Sequence, residues 1–394
     1  MQANDIVLEI PYGTRDFLPH EAAEKRQLET TLADLFASWG YDEIVTPTIE
    51  YLDTLTMGNG HVLEPHMFKF FDKNNRTLAL RHEMTTPIAR VAASRLKDET
   101  LPLKLSYISS VYRYEQTQTG RQCEFYQAGV EFMGSGTAAA DAEVIALAAE
   151  GLRRTGLQNF QICLGQVDFI NGIMQQFQLD DAMQTKIKAA MEQRNLVGLE
   201  ALLEQTTLAK SARELLRRLP LLHGGEAVLA QAYDIAVTEQ SRRALDNLAA
   251  IYHLLEEYGV AGQVQFDLGV IRDFNYYTGM VFEVYTPGLG FPLCGGGRYD
   301  HMLSDFGSAC PATGFALGIE RIMLSLERQG LRMPQIRKDV YLAYAPGKLA
   351  AALHKAQEYR QQGQVVELAP AAQSEREAAA YQTGKAYQKL VYIS

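Results

Sequence analysis

The chain has 394 residues, too many for one ordinary core, so two or three domains are expected. With 47% hydrophobic and 21% charged residues it has the composition of an ordinary soluble globular protein, and its apolar runs fall well short of the roughly 18 residues of a membrane span. A net charge of −10 argues against a broad nucleic-acid footprint, although a local basic patch fits within it.

The opening "MQANDIVLEIPYGTRDFLP" shows no basic stretch followed by an apolar one, so no signal peptide is expected. Next, "EAAEKRQLETTLADLFASWGY" places Leu28, Leu32, Leu35, Phe36 and Trp39 on one helical face, with Gly40 as its C-terminal stop. "YDEIVTPTIEY" reads as a strand interrupted by Pro47, which requires a sheet edge or a bulge. "HMFKFFDKNNRTLALR" reads as a hairpin turning at Lys73-Asn74-Asn75, and "MTTPIARVAASRL" as a helix with Pro87 in its first turn. Two β-favouring runs flank the polar loop in "LSYISSVYRYEQTQTGRQCEFYQAGVEFMG", predicting a long antiparallel hairpin. A helix over "TAAADAEVIALAAEGLRRTGL" and a strand over "NFQICLG" follow.

Strand signals then vanish, and helices rich in Leu, Ala, Glu and Arg mark an insertion over about 175–260. Strands resume at "VQFDLGV", "GMVFEVYT" and "FPLCGGGRYD", and "GFALGIERIMLSLERQG" closes this block with a helix near residue 330. From 331 to 394 the pattern alternates strand and helix, which implies a small parallel sheet. The four cysteines, Cys123, Cys163, Cys294 and Cys310, show no CxxC pairing and read as thiols of a reducing cytoplasm, not as a disulfide framework or zinc site.

Five stretches could carry chemistry, and each also has a plain structural reading. The hairpin gathers Arg113, Glu115, Arg121 and Phe125, suited to phosphate oxygens and a stacked base, or simply to a sheet with surface ion pairs. In "RHEMTTPIAR" a carboxylate, Glu83, and a hydroxyl, Thr85, meet at a helix start, where capping alone also explains them. "IRDFNYYTGMVFE" sets Arg272 before tyrosines, a carboxylate clamp with aromatic walls or an ordinary core. "CGGGRYD" allows close backbone packing but lacks the Lys-Ser/Thr of a phosphate loop. "GFALGIERI" puts Arg321 at a helix start, favourable for anions or merely on the surface.

Their order decides between these readings. The chain resembles class II aminoacyl-tRNA synthetases, and within them the histidyl-tRNA synthetase core, over roughly residues 8 to 330. The first helix and the Pro47 strand look like motif 1, the dimer-forming element; "YRYE…GRQCEFYQAGVE" looks like motif 2 and "GFALGIERI" like motif 3. The resemblance implies an α+β fold, an antiparallel sheet flanked by helices, with a small C-terminal α/β domain. It also implies a free-histidine site: Glu83, Thr85 and Gln127 on the α-ammonium, Arg272 on the carboxylate, and Glu131, Tyr277 and Tyr299 around the imidazole. Arg113, Glu115, Arg121, Phe125 and Arg321 match the family's ATP-site positions.

Three departures separate the chain from a working synthetase. The family's motif 2 loop reads R-x-E-R-P-Q-x-G-R-x-R, whereas Gln116, Thr117 and Cys123 stand here in place of an arginine, a proline and an arginine. Met84 and Thr86 replace small residues. The C-terminal piece resembles the start of an anticodon-binding domain but is shorter than that domain's mixed sheet requires. These departures resemble the ATP phosphoribosyltransferase regulatory subunits, as do "LRHEMTTPIAR", "YYTGMVFEVY" and "SDFGSACPATGFALGIER". That resemblance implies a non-catalytic, cytoplasmic chain without cofactor or metal, a homodimer core inside a hetero-octamer with a short-form catalytic subunit, and L-histidine as effector in place of tRNA. A histidyl-tRNA synthetase with a reduced C-terminal domain is the alternative.

Overall fold

The computed structural model describes residues 8–57, 63–114, 122–177, 179–269, 277–307, 309–331 and 336–394. Two units emerge from its contacts: Lys25–Met333 with the segment ending at Asp16, and Pro334–Ser394 with Phe17–Glu24. Among the described residues the larger unit holds twelve strands: β1 (Asp42–Glu43), β2 (Ile49–Tyr51), β3 (Lys69–Phe71), β4 (Thr77–Leu80), β5 (Leu103–Tyr112), β6 (Glu124–Met133), β7 (Gln161–Gln166), β8 (His223–Gly224), β9 (Val264–Asp267), β10 (Met280–Tyr285), β11 (Cys294–Arg298) and β12 (Ala312–Gly318). Nine of them make one sheet in the order β1-β5-β6-β12-β11-β10-β7-β9-β8, and β2-β4-β3 make a small second sheet. The large sheet is mixed, because β1 lies parallel to β5 and β7 parallel to β9, while the other neighbours are antiparallel. This is the α+β architecture expected.

The long hairpin forms as read, with β5 and β6 in register from Leu103 opposite Met133 to Tyr112 opposite Glu124. The shorter hairpin also forms. Asp72 Oδ1 accepts from the backbone N–H of Asn74 at 2.8 Å and of Arg76 at 2.9 Å, and Asn75 takes a φ of +59° in the turn. The helix Pro19–Ser38 buries Leu28, Leu32, Leu35 and Phe36, and Gly40 ends it at a φ of +81°. The expected strand through Pro47 does not exist as one element. Its halves, β1 and β2, belong to different sheets, and the chain between them is held by buried Arg81, which donates to Thr46 O at 2.8 Å and Ser110 O at 2.8 Å. Proline supplies no ladder N–H, so the break falls there.

Helix Ala138–Arg154 is rich in alanine, which lets it lie close to both β12 and helix Glu239–Glu257. The Thr137 side chain caps it by accepting from Ala140 N. The segment without strand signals folds into helices Val167–Gln176, Asp181–Glu192, Leu196–Glu204, Lys210–Arg218, Ala227–Ile235 and Glu239–Glu257, with the two-residue β8 as an addition the sequence did not signal. No disulfide joins the four cysteines.

The smaller unit carries β13 (Val340–Tyr344), β14 (Val366–Leu368) and β15 (Lys389–Ile393) in the order β14-β13-β15, all parallel, with crossover helices Leu349–Gln361 and Glu375–Gly384. Central β13 is buried at every position, as a parallel strand covered on both faces must be. Ser374 and Glu377 form a reciprocal capping box at the second helix.

Candidate functional site

One cavity of about 530 Å³ opens over β6, β10, β11 and β12 of the large sheet. Glu83, Thr85, Gln127, Glu131, Tyr277 and Tyr299 all line it, as do Arg113, Phe125 and Arg321. Glu115, Arg121 and Arg272 lie outside the described residues. Positions spread from 83 to 321 thus converge on one space, and a volume of this size suits a small-molecule ligand.

Glu131 sits at its floor. It is 2% exposed, and Thr85 Oγ1 donates to its Oε1 at 2.7 Å while the Tyr299 hydroxyl donates to its Oε2. Burial raises its pKa to about 8; the Tyr299 and Thr85 hydrogen bonds oppose the shift, and neighbouring Glu83 adds to it. At neutral pH this carboxyl is therefore mostly protonated. The backbone makes room for it: β6 and β12 pair Glu131 with Gly314, where a Cβ would stand 2.2 Å from Glu131 Oε2. The glycine run of β11 acts likewise, since a Cβ at Gly297 would stand 2.8 Å from the Tyr277 ring.

A buried acid that holds its proton in the folded state releases it on unfolding, so stability falls as pH rises from about 4.5 towards 8. The slope owed to this one group is at most roughly 1.4 kcal/mol per pH unit. Glu131→Gln is expected to flatten it. Thermal melts of both proteins at pH 5 and pH 8 would show wild type losing more stability than the variant; parallel losses would mean that Glu131 ionises freely in the fold.

Glu83 caps helix Thr85–Ser94 by accepting from Thr85 N at 2.8 Å and Thr86 N at 2.7 Å, so the capping reading is correct. It lines the cavity as well, and the two roles coexist. Its neighbour His82 is 2% exposed, and burial holds its imidazole below the ordinary range, with Glu83 opposing and Arg113 adding to the shift. Arg113 donates from Nε to His82 O at 2.9 Å and places its guanidinium 5.5 Å from the Phe125 ring centre. Arg321 donates from Nη1 to Pro292 O at 2.7 Å and stands 5.2 Å from the Phe291 ring centre. The two ATP-position arginines that the structure describes are thus both braced by backbone carbonyls and rings. Next to Arg321, Glu320 accepts from Tyr126 N at 3.0 Å, tying the last helix of the core to the motif 2 strand.

Sequence reading missed several parts of this site. Gly314 follows from register alone, and Tyr107, fully buried beneath Gly129, sits in a strand of ordinary pattern. Arg298, in "GGGRYD", does not line the cavity and is engaged by acidic residues behind it. It forms a buried ion pair with Asp141 at 2.8 Å and a second contact to Asp300 at 3.0 Å. Burial pushes the Asp141 carboxyl up, while Asp141 and Asp300 raise Arg298 against its own burial; two direct N–H···O contacts support the ionised pair. Lys188 and Thr185, from the insertion, also line the cavity without any motif to announce them.

Residues 13–322 match the family model described as histidyl-tRNA synthetase. A relative from Moorella thermoacetica, named ATP phosphoribosyltransferase regulatory subunit, is 44% identical over 378 residues, 96% of each chain. The chain belongs to the ATP phosphoribosyltransferase regulatory subunit family. A crystal structure from Bacillus halodurans C, named ATP phosphoribosyltransferase regulatory subunit/histidyl-tRNA synthetase, is 35% identical and superposes with a TM-score of 0.89 over 98% of each chain. Histidyl-tRNA synthetase from Nostoc sp. PCC 7120 matches with a TM-score of 0.84 over 97% of this chain and 90% of its own, and at 20% identity it shows the shared fold alone. The family is one of regulatory subunits built on a histidyl-tRNA synthetase-like core. Among the described residues, no helix is long and apolar enough to cross a membrane, and no group of three or more His, Cys, Asp or Glu is placed to hold a metal.

Proposed function

We propose that this chain is the non-catalytic subunit on which a short-form ATP phosphoribosyltransferase depends for activity, and that histidine inhibits the complex by binding the cavity described above. The observation that supports this reading most is the convergence of Glu83, Thr85, Gln127, Glu131, Tyr277 and Tyr299 on one cavity, while Gln116 and Cys123 replace motif 2 arginines. An amino acid needs a carboxylate for its ammonium, a cation for its carboxylate and polar groups for its side chain. Glu83, Thr85 and Gln127 serve the ammonium. Arg272 serves the carboxylate, and Glu131, Tyr277 and Tyr299 enclose the imidazole. A mostly protonated Glu131 donates to the neutral imidazole or passes its proton to it.

The ATP positions Arg113, Glu115, Arg121, Phe125 and Arg321 are, in this reading, remnants of a shared ancestry with the synthetases. Motif 1 gives the homodimer core, on which catalytic and regulatory chains assemble as a hetero-octamer in the cytoplasm. Mixing this chain with a short-form catalytic subunit at micromolar concentration should give co-elution in size-exclusion chromatography. Separate peaks, or histidine charging of tRNA at an ordinary synthetase rate, would count against the reading and favour the synthetase alternative.

A further inference from the structure

The insertion contributes to the cavity through one helix. Thr185, Lys188 and Ala189 share a face of Asp181–Glu192 and line the cavity, while Ile187, Ala190 and Met191 of the same helix are buried in the core. Spacing of three and four residues puts the first set on a single stripe. Lys188 is half-buried, and its Nζ donates to Asn171 Oδ1 at 2.7 Å. Asn171 Nδ2 lies 3.5 Å from Asp168 Oδ1, which also accepts from Gln240 Nε2 at 2.8 Å. A polar chain thus runs from the cavity wall to the start of helix Glu239–Glu257.

The cavity's three described cations differ in how they are held. Arg113 and Arg321 are planar groups braced by carbonyls and rings of the core. Lys188 is a compact ammonium on a flexible stem, able to turn towards a ligand without moving backbone. Burial draws it below its ordinary range, against Asp168 and Asp181, so a further anion brought into the cavity would offset that desolvation.

Resting on the reading that histidine occupies this cavity, we propose that Lys188 is a further binding residue that meets the ligand's α-carboxylate and so couples occupancy to the insertion. A carboxylate that draws the ammonium over loosens its hold on Asn171, and the polar chain carries the change to helix Glu239–Glu257. The insertion then senses the ligand through one side chain.

Calorimetric titration of the full-length chain, alone and in complex with the catalytic subunit, tests this with two ligands. L-Histidine carries the carboxylate; L-histidinol replaces it with a hydroxymethyl group and keeps the ammonium and imidazole. Lys188→Met should weaken histidine roughly tenfold or more, the loss expected for one charge-assisted hydrogen bond, and leave histidinol binding within about twofold. Lys188→Arg, which keeps the cation, should recover part of the histidine affinity, and melts of both variants would confirm that they fold. Equal affinity of Lys188→Met and wild type for histidine overturns the inference, as does equal weakening of both ligands, which would make Lys188 a wall residue only. Wild type that binds no histidine in either state overturns the histidine-pocket reading itself.

Discussion

Replacing Glu83 by alanine is expected to weaken histidine inhibition of the complex by roughly 30-fold or more. Truncating one partner of a buried, hydrogen-bonded charge pair typically costs about 2–5 kcal/mol, and each 1.4 kcal/mol is a factor of ten in affinity. Thr85 N and Thr86 N orient the Glu83 carboxylate, so in the proposed pocket a ligand ammonium would meet a group whose position is fixed in advance. The same substitution removes a helix cap and should lower stability by about 0.5–2 kcal/mol. The two effects are read separately: inhibition curves, each normalised to its own uninhibited rate, report the pocket, and thermal melts report the cap. A variant that melts lower but keeps the wild-type inhibition curve would reduce Glu83 to a capping residue.

A larger loss of stability is expected at a residue outside the cavity. Arg298→Met leaves Asp141, 1% exposed, without its guanidinium partner. Breaking a buried pair from one side costs about 3–5 kcal/mol, because the remaining charge stays desolvated. In a unit of this size that corresponds to a fall of roughly 4–7 °C in melting temperature. Arg298 also donates to Ser135 O at 3.0 Å, so the loss includes the turn that precedes helix Ala138–Arg154. Pairing Arg298→Met with Asp141→Leu should recover part of the loss, since no unpaired charge then remains. A single variant that melts with wild type would mean that water already reaches Asp141.

How much of this was readable beforehand depends on sequence separation. The hairpin of β5 and β6 could be read because its alternation and its loop are contiguous, and the C-terminal strand and helix alternation likewise. Glu83, Gln127, Glu131, Tyr277 and Tyr299 were legible as candidates only through the order of motifs, since nothing in their local pattern brings residue 83 to residue 299. What escaped is non-local. Gly314 matters because β12 pairs with β6 at one particular register, and Arg298 meets Asp141 across 157 positions. The stretch around Pro47 reads as one interrupted strand because two short strands of different sheets sit close together in sequence. Lys188 lies in an insertion with ordinary helical composition, where nothing distinguishes a cavity-facing lysine from a solvated one.

The central claim is tested most directly by reconstitution. The short-form catalytic subunit is assayed alone, then with this chain, then with this chain under a histidine titration. Activity should rise when the chain is added and fall again as histidine is titrated, with the Glu83→Ala complex far less sensitive. Activity that the chain leaves unchanged, or a stimulated activity indifferent to histidine, would contradict it.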